Sequence, residues 1–140
     1  MKKTLKLLRN ADYVYIIGNG GSASTANHFA NDLVKMCGIK AISLCANEAI
    51  VMAYANDEGY ENVFSEQLKV FLTKKDLLIT ISGSGTSKNI VKAKKYARKT
   101  GAMVYSLPTM KEENCGMKEI EDKHIVLIHK IAAELSKNKV

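Results

Sequence analysis

Val14-Tyr15-Ile16-Ile17-Gly18-Asn19-Gly20-Gly21-Ser22 is an apolar, β-rich run that stops at a glycine cluster and leads directly into a helical pattern. It reads as strand, tight loop and helix. The glycines free the backbone to take positive φ and to lie close to a ligand, and Ser22 is placed to cap the helix and offer its hydroxyl. A second copy lies further on, where Asp76-Leu77-Leu78-Ile79-Thr80-Ile81 runs into Ser82-Gly83-Ser84-Gly85-Thr86-Ser87 and then into a lysine-rich helix. Such loops suit an anion, because the first N–H groups of the following helix and the positive end of its dipole point at it.

Outward from these two units the chain alternates. A short helix over 2–9 precedes the strand at 12–17, and a helix over 22–36, with Ala23, Ala26, Phe29, Ala30 and Leu33 at helical spacing, is closed by Gly38. A strand at 40–45 and a short helix at 47–55 follow, and Asn56-Asp57-Glu58-Gly59 breaks the pattern. A helix over 61–73 leads to the strand at 76–81. A helix over 88–99 leads to a strand at 102–107 that Pro108 halts; 109–117 are polar and irregular, and 118–137 form the last helix.

Continuous apolar strands separated by helices imply a parallel sheet covered on both faces, with right-handed crossovers. The class is α/β, a three-layer αβα sandwich around a doubly wound parallel sheet of four to five strands. In the order 2-1-3-4, strands 1 and 3 are neighbours whose crossovers leave in opposite directions, so a crevice opens at their carboxyl ends. Both glycine loops line that crevice.

The 140 residues, 46% hydrophobic and 25% charged with one proline, are expected to form one folded domain over 1–140. The net charge of +7 raises the question of nucleic acid, but with no tryptophan, no arginine cluster and no aromatic platform the composition argues against it. A small anionic ligand gains from the same field. Cys37, Cys45 and Cys115 are an odd set without metal-ligand spacing, which favours buried, reduced thiols and a cytoplasmic location. No secretory h-region or membrane-spanning run is present, so no membrane partner is expected.

The hydroxyls of the second loop alternate with two glycines, without the lysine of a P-loop, and the first loop lacks the third glycine of a dinucleotide fingerprint. A phosphorylated sugar fits better than a nucleotide. His28 and Asp32 share one helical face, spaced to hydrogen-bond or to share a metal, although such a pair is often only a local surface interaction. Glu121, His124 and His129 lie on the last helix; His124 reads as a half-buried histidine on an amphipathic stripe.

Taken in order, Gly18-Asn19-Gly20-Gly21-Ser22, His28-Phe29-Ala30, Asn56-Asp57, Ile81 through Ser87 and Ile120 through His129 resemble the sugar isomerase (SIS) domain family, in particular its phosphoheptose isomerases. The resemblance covers about 10–135. It implies a flavodoxin-like SIS fold and conversion of sedoheptulose 7-phosphate to D-glycero-D-manno-heptose 7-phosphate, for heptose-containing surface glycans such as lipopolysaccharide or capsule. The reaction is aldose–ketose isomerisation through an enediol(ate). Asn19, Gly20, Gly21, Asn56, Asp57, Ser82, Ser84 and Ser87 match substrate-contacting positions, with Ser22 and Glu121 beside them, and the three serines of the second loop match phosphate contacts. His28, Asp32, Glu121 and His129 match zinc and catalytic positions, Asp32 as base and His129 as acid; Asp32 stands where the family has glutamate, Glu121 where it has glutamine. The resemblance also implies a homo-oligomer, dimer or tetramer, with active sites between subunits. It includes a longer N-terminal helix than the one read here and a fifth strand where 108–119 is short. A non-catalytic SIS module that binds a phosphosugar or a protein is the alternative.

Overall fold

The structure, a computed structural model, describes residues 1–137. Its elements run α1 (Lys2–Asn10), β1 (Val14–Gly18), α2 (Gly21–Lys35), β2 (Ala41–Ser43), α3 (Glu48–Glu58), a 3-10 turn (Tyr60–Asn62), α4 (Val63–Phe71), β3 (Leu77–Ile81), α5 (Lys88–Thr100), β4 (Met103–Ser106), α6 (Met110–Glu113) and α7 (Met117–Ser136). The four strands are all parallel in the order β2-β1-β3-β4, as the alternation of the sequence requires.

Every residue of β1 and β3 is buried, because each strand has a neighbour on both edges and helices on both faces. Alternate side chains go to opposite layers. Val14, Ile16, Leu77, Ile79 and Ile81 meet Ala26, Phe29 and Leu33 of α2, Ile128, Ile131 and Leu135 of α7, and Leu8 of α1. Tyr15, Ile17 and Leu78 meet Val63, Phe64 and Leu68 of α4 and Ile90, Ala93 and Ala97 of α5. Helix α1, too short to stand alone, is thus held by Leu8 in the first layer.

The foot of the sheet is tied by Asp76. One carboxylate oxygen accepts from the Tyr13 N–H at 3.0 Å, and the other from the Thr73 N–H and hydroxyl at 2.7 and 2.9 Å. This fixes the start of β3 against the start of β1, and hence the register in which Gly18 pairs with Ile81 at the other end.

Several elements differ from the expectation. The sheet has four strands; the region 109–119 forms α6 and the first turn of α7 instead of a fifth. A capping box starts α6, with Thr109 N–H donating to Glu112 at 2.7 Å, while Met110 N–H donates to the Gly83 carbonyl at 2.8 Å and folds the chain over the second loop. Helix α3 continues through Asn56 and Asp57 to Gly59, whose φ of 90° stops it. The cysteines are only partly buried; the Cys37 thiol donates to the Ala132 carbonyl and the Cys45 thiol to that of Gly18. Conversely His124 is 1% exposed, deeper than an amphipathic stripe suggests, with its Nε2 2.7 Å from the Pro108 carbonyl. No helix among the described residues is long and apolar enough to cross a membrane.

Candidate functional site

Because β1 and β3 are hydrogen-bonded neighbours, residues 18–22 and 82–87 emerge side by side at the carboxyl end of the sheet. In the first loop Gly18 has no room for a side chain: a Cβ there would stand 2.5 Å from the Ser22 carbonyl oxygen. Gly20, at φ 55° and ψ −122°, occupies backbone space that other residues rarely adopt, and it, rather than Ser22, is the N-cap residue of α2. Ser22 is buried in the first turn of α2, its N–H bonded to the Asn19 carbonyl at 3.0 Å. The capping role expected of it therefore falls to a turn made of backbone alone.

The second loop organises itself. Ser82 accepts from the Gly85 N–H at 3.0 Å and Ser84 from the Thr86 N–H at 3.2 Å. Ser87 is the N-cap of α5 and makes no side-chain capping bond, so the first N–H groups of that helix take none from it. Lys88 follows directly. A depression of about 480 Å³ is lined here by Asn19, Tyr60, Glu61, Ser87, Lys88 and Asn89. Its donors and its lysine suit a phosphate ester.

Two residues the sequence reading did not single out hold the loops together. The amides of Asn19 and Asn89 pair reciprocally, Asn19 Nδ2 donating to Asn89 Oδ1 at 2.9 Å and Asn89 Nδ2 to Asn19 Oδ1 at 2.8 Å. The Tyr60 hydroxyl donates to the same Asn19 oxygen at 2.9 Å. A buried asparagine in a helical first turn has no signature in sequence; only the adjacency of the strands reveals its partner. Asn56 and Asp57 lie exposed on the last turn of α3, bonded to each other at 2.8 Å.

Helix α7 lies across both loops. Glu121 carries its Oε1 to 2.7 Å from where a Cβ on Gly21 would be, and Met117 brings its sulfur to 2.6 Å from the same point on Gly83. Glu121, Asp122, His28 and Ser24 line a shared depression on this face. The Cys45 thiol lies under the first loop, 3.2 Å from the Gly18 carbonyl, and burial pushes its pKa up from the ordinary value.

Further along α2 and α7, His28, Asp32 and His129 converge, one ligand atom of each lying within 4.8 Å of the others. His28 Nε2 is 2.9 Å from His129 Nε2 and 3.4 Å from Asp32 Oδ2. The two rings are exposed while Asp32 is buried, its other oxygen accepting from the Asn31 amide at 3.3 Å. Two imidazole nitrogens and a carboxylate oxygen are a zinc donor set, and in donor type the residues fit such an ion. Ligand nitrogens on a tetrahedral ion with bonds of about 2.0 Å stand about 3.3 Å apart, so the two rings, at 2.9 Å, would part by a few tenths of an ångström to hold it. Glu121 is not in this cluster: along α7 it precedes His129 by about 12 Å at a rise of about 1.5 Å per residue.

His28 and Asp32 lie about 10 and about 16 Å along α2 from Gly21, again at about 1.5 Å per residue, and His28 borders the same depression as Gly21 and Glu121.

Comparison with known proteins agrees with this geometry. The SIS domain model matches residues 2–108. A phosphoheptose isomerase from Helicobacter pylori (strain P12) is 44% identical over 108 residues, covering 74% of this chain and 56% of that protein. A phosphoheptose isomerase from Campylobacter concisus (strain 13826) is 35% identical over 142 aligned positions, covering 89% of this chain and 75% of that protein. Among solved structures, phosphoheptose isomerase from Neisseria gonorrhoeae superposes with a TM-score of 0.83 at 28% identity, over 97% of this chain and 82% of that one. The chain spans little more than half the length of the first of these relatives. With the parallel sheet, the paired glycine loops and these matches, the chain belongs to the SIS domain family, on the side of its phosphoheptose isomerases.

Proposed function

We propose that the protein, a single SIS domain over 1–140 of which 138–140 lie outside the described residues, is a phosphoheptose isomerase. Its reaction is the interconversion of sedoheptulose 7-phosphate and D-glycero-D-manno-heptose 7-phosphate. The observation that carries this is the side-by-side emergence of two anion-suited loops at one end of the sheet, in a chain 35–44% identical to named phosphoheptose isomerases. Ser82, Ser84, Ser87 and the first N–H groups of α5 hold the phosphate; Gly20, Gly21, Ser22, Asn56, Asp57 and Glu121 surround the sugar.

Asp32 takes a proton from C1 of the ketose and returns it to C2 of the aldose, while His129 gives a proton to the C2 oxygen and a base-form group receives the one from the C1 hydroxyl. Charge on the enediolate is the quantity the site must stabilise. His28, Asp32 and His129 would hold zinc, which when bound supplies polarisation of the carbonyl. Asn31, donating to the Asp32 oxygen that does not face His28, fixes the carboxylate plane.

The active unit is a homo-oligomer in which one chain's loops meet another chain's His28, Asp32 and His129. Two observations support this. From Gly21 of the first loop, His28 and Asp32 lie about 10 and about 16 Å along α2, a span that a heptose phosphate held at both loops has to bridge. In addition Met52 of α3 is 69% exposed on a helix without a fully buried residue, although Tyr54 and Ala55 pack partly against the core. An exposed apolar side chain of that kind is available to a second chain.

The test is consumption of sedoheptulose 7-phosphate, followed with chelator and with the variants Asp32→Ala and His129→Ala. The proposal expects turnover that falls in all three. A melting shift with phosphosugar but no turnover in the parent protein would instead make it a non-catalytic phosphosugar-binding SIS module.

A further inference from the structure

Asn19, matched by family pattern to a sugar contact, has a side chain already engaged. Its Oδ1 accepts from both Tyr60 at 2.9 Å and Asn89 at 2.8 Å, and its Nδ2 donates to Asn89 Oδ1. Two donors fill the oxygen's lone pairs. Asn89 is held in turn: it is 2% exposed, and its Oδ1 also accepts from the Ile90 N–H at 2.9 Å. That bond fixes which end of the Asn89 amide is oxygen, and with it the orientation of Asn19.

The contacts cross between three segments. Asn19 belongs to the first loop, Asn89 to the first turn of α5 behind the second loop, and Tyr60 to the turn that follows Asn56 and Asp57. One hydrogen-bonded hub therefore sets the spacing of the segments on which a sugar phosphate rests. From this we infer that Tyr60, Asn19 and Asn89 are positioning residues, whose role is to hold the first loop and the α3 turn at a fixed distance from the phosphate loop. The inference rests on the phosphosugar reading above.

A hub of this kind acts selectively. Inorganic phosphate is held mainly by the second loop and the start of α5, with Asn19 and Tyr60 only on the wall of the depression, so its affinity depends less on where the first loop stands. A ketose phosphate spans the segments and does depend on it, since small displacements of a positioned group weaken what it holds. The Tyr60 ring is 55% exposed, so Tyr60→Phe deletes one donor without opening the core. Asn19→Leu is harsher: close in shape but without polar atoms, it removes the acceptor of Tyr60 and Asn89 and the donor to Asn89 without adding a charge beside the phosphate.

The experiment measures binding of inorganic phosphate and of sedoheptulose 7-phosphate by calorimetry to the parent protein, Tyr60→Phe and Asn19→Leu, with melting temperatures alongside. The expected result is an affinity for the ketose phosphate about fivefold weaker in Tyr60→Phe, the size of one exposed hydrogen bond, and tenfold or more weaker in Asn19→Leu. Phosphate affinity is expected to fall by a clearly smaller factor than ketose phosphate affinity in each variant. Equal losses for both ligands, or losses that track melting temperature alone, would mean a merely structural network and overturn the inference. So would variants that keep the parent's preference for the ketose phosphate. A parent protein with no such preference would overturn it as well, and only that outcome also removes the phosphosugar reading.

Discussion

At the scale of single residues the account rests on a few groups with no alternative partner. Asp76 gathers three hydrogen bonds while 3% exposed, so Asp76→Ala leaves the Tyr13 and Thr73 donors unsatisfied and is expected to cost about 1–3 kcal/mol in denaturant unfolding. Gly18→Ala drives a Cβ into the Ser22 carbonyl at 2.5 Å, and a loss of similar size, about 1–3 kcal/mol, is expected from the same measurement. Asp32→Ala should lower turnover of sedoheptulose 7-phosphate by about a hundredfold or more, the scale of general acid–base catalysis, while the melting shift caused by phosphate persists. A lost shift would mean that the cluster also holds the phosphate. The His28 and Asp32 pair is legible from its spacing. Their meeting with His129 is not, because it depends on how α2 crosses α7, and so it came only through family resemblance. The engagement of Asn19 was hidden for the same reason: its partners Tyr60 and Asn89 are far along the chain and close only once β1 and β3 pair.

At the scale of elements, β1 and β3 could be read because strands buried on both faces are continuous apolar runs, and their order followed from the crossover rules. The end of α3 could not, since Asn56 and Asp57 look like breakers, whereas it is Gly59 with its positive φ that stops the helix. Nor could the fate of 109–119, where a local capping box wins over strand pairing. That box gives a pH signature. The Thr109 N–H and hydroxyl hold the Glu112 carboxyl below its ordinary value, so folding favours the ionised form. Its contribution is fully present above the ordinary carboxylate range and is lost as pH falls through the lowered value. The gap in melting temperature between the parent and Glu112→Ala should accordingly be widest near neutrality and close on acidification. A gap that widened in acid would reverse the assignment. Helix α3 gives a second signature: Met52 is 69% exposed on a helix without a fully buried residue, and under the proposed assembly Met52→Glu is expected to shift the protein to smaller species in light scattering without unfolding it.

At the scale of the whole molecule, two glycine-bearing turns stand at one mouth of the sheet, and a metal-competent trio of side chains sits further down the paired helices α2 and α7. The proposed reaction draws on both halves. The sequence made the anion site readable through glycine, hydroxyl and helix start, but the distance between the halves is a property of helix length and packing, and no motif encodes it. The central claim is that the assembled halves move a proton between adjacent carbons of a phosphosugar. The most direct measurement is to incubate the protein with sedoheptulose 7-phosphate in D₂O and read the product by NMR. The account predicts an aldose phosphate carrying deuterium at C2, formed by the parent protein and lost in Asp32→Ala; ketose recovered unchanged and free of deuterium, with the protein folded and the sugar bound, would contradict it.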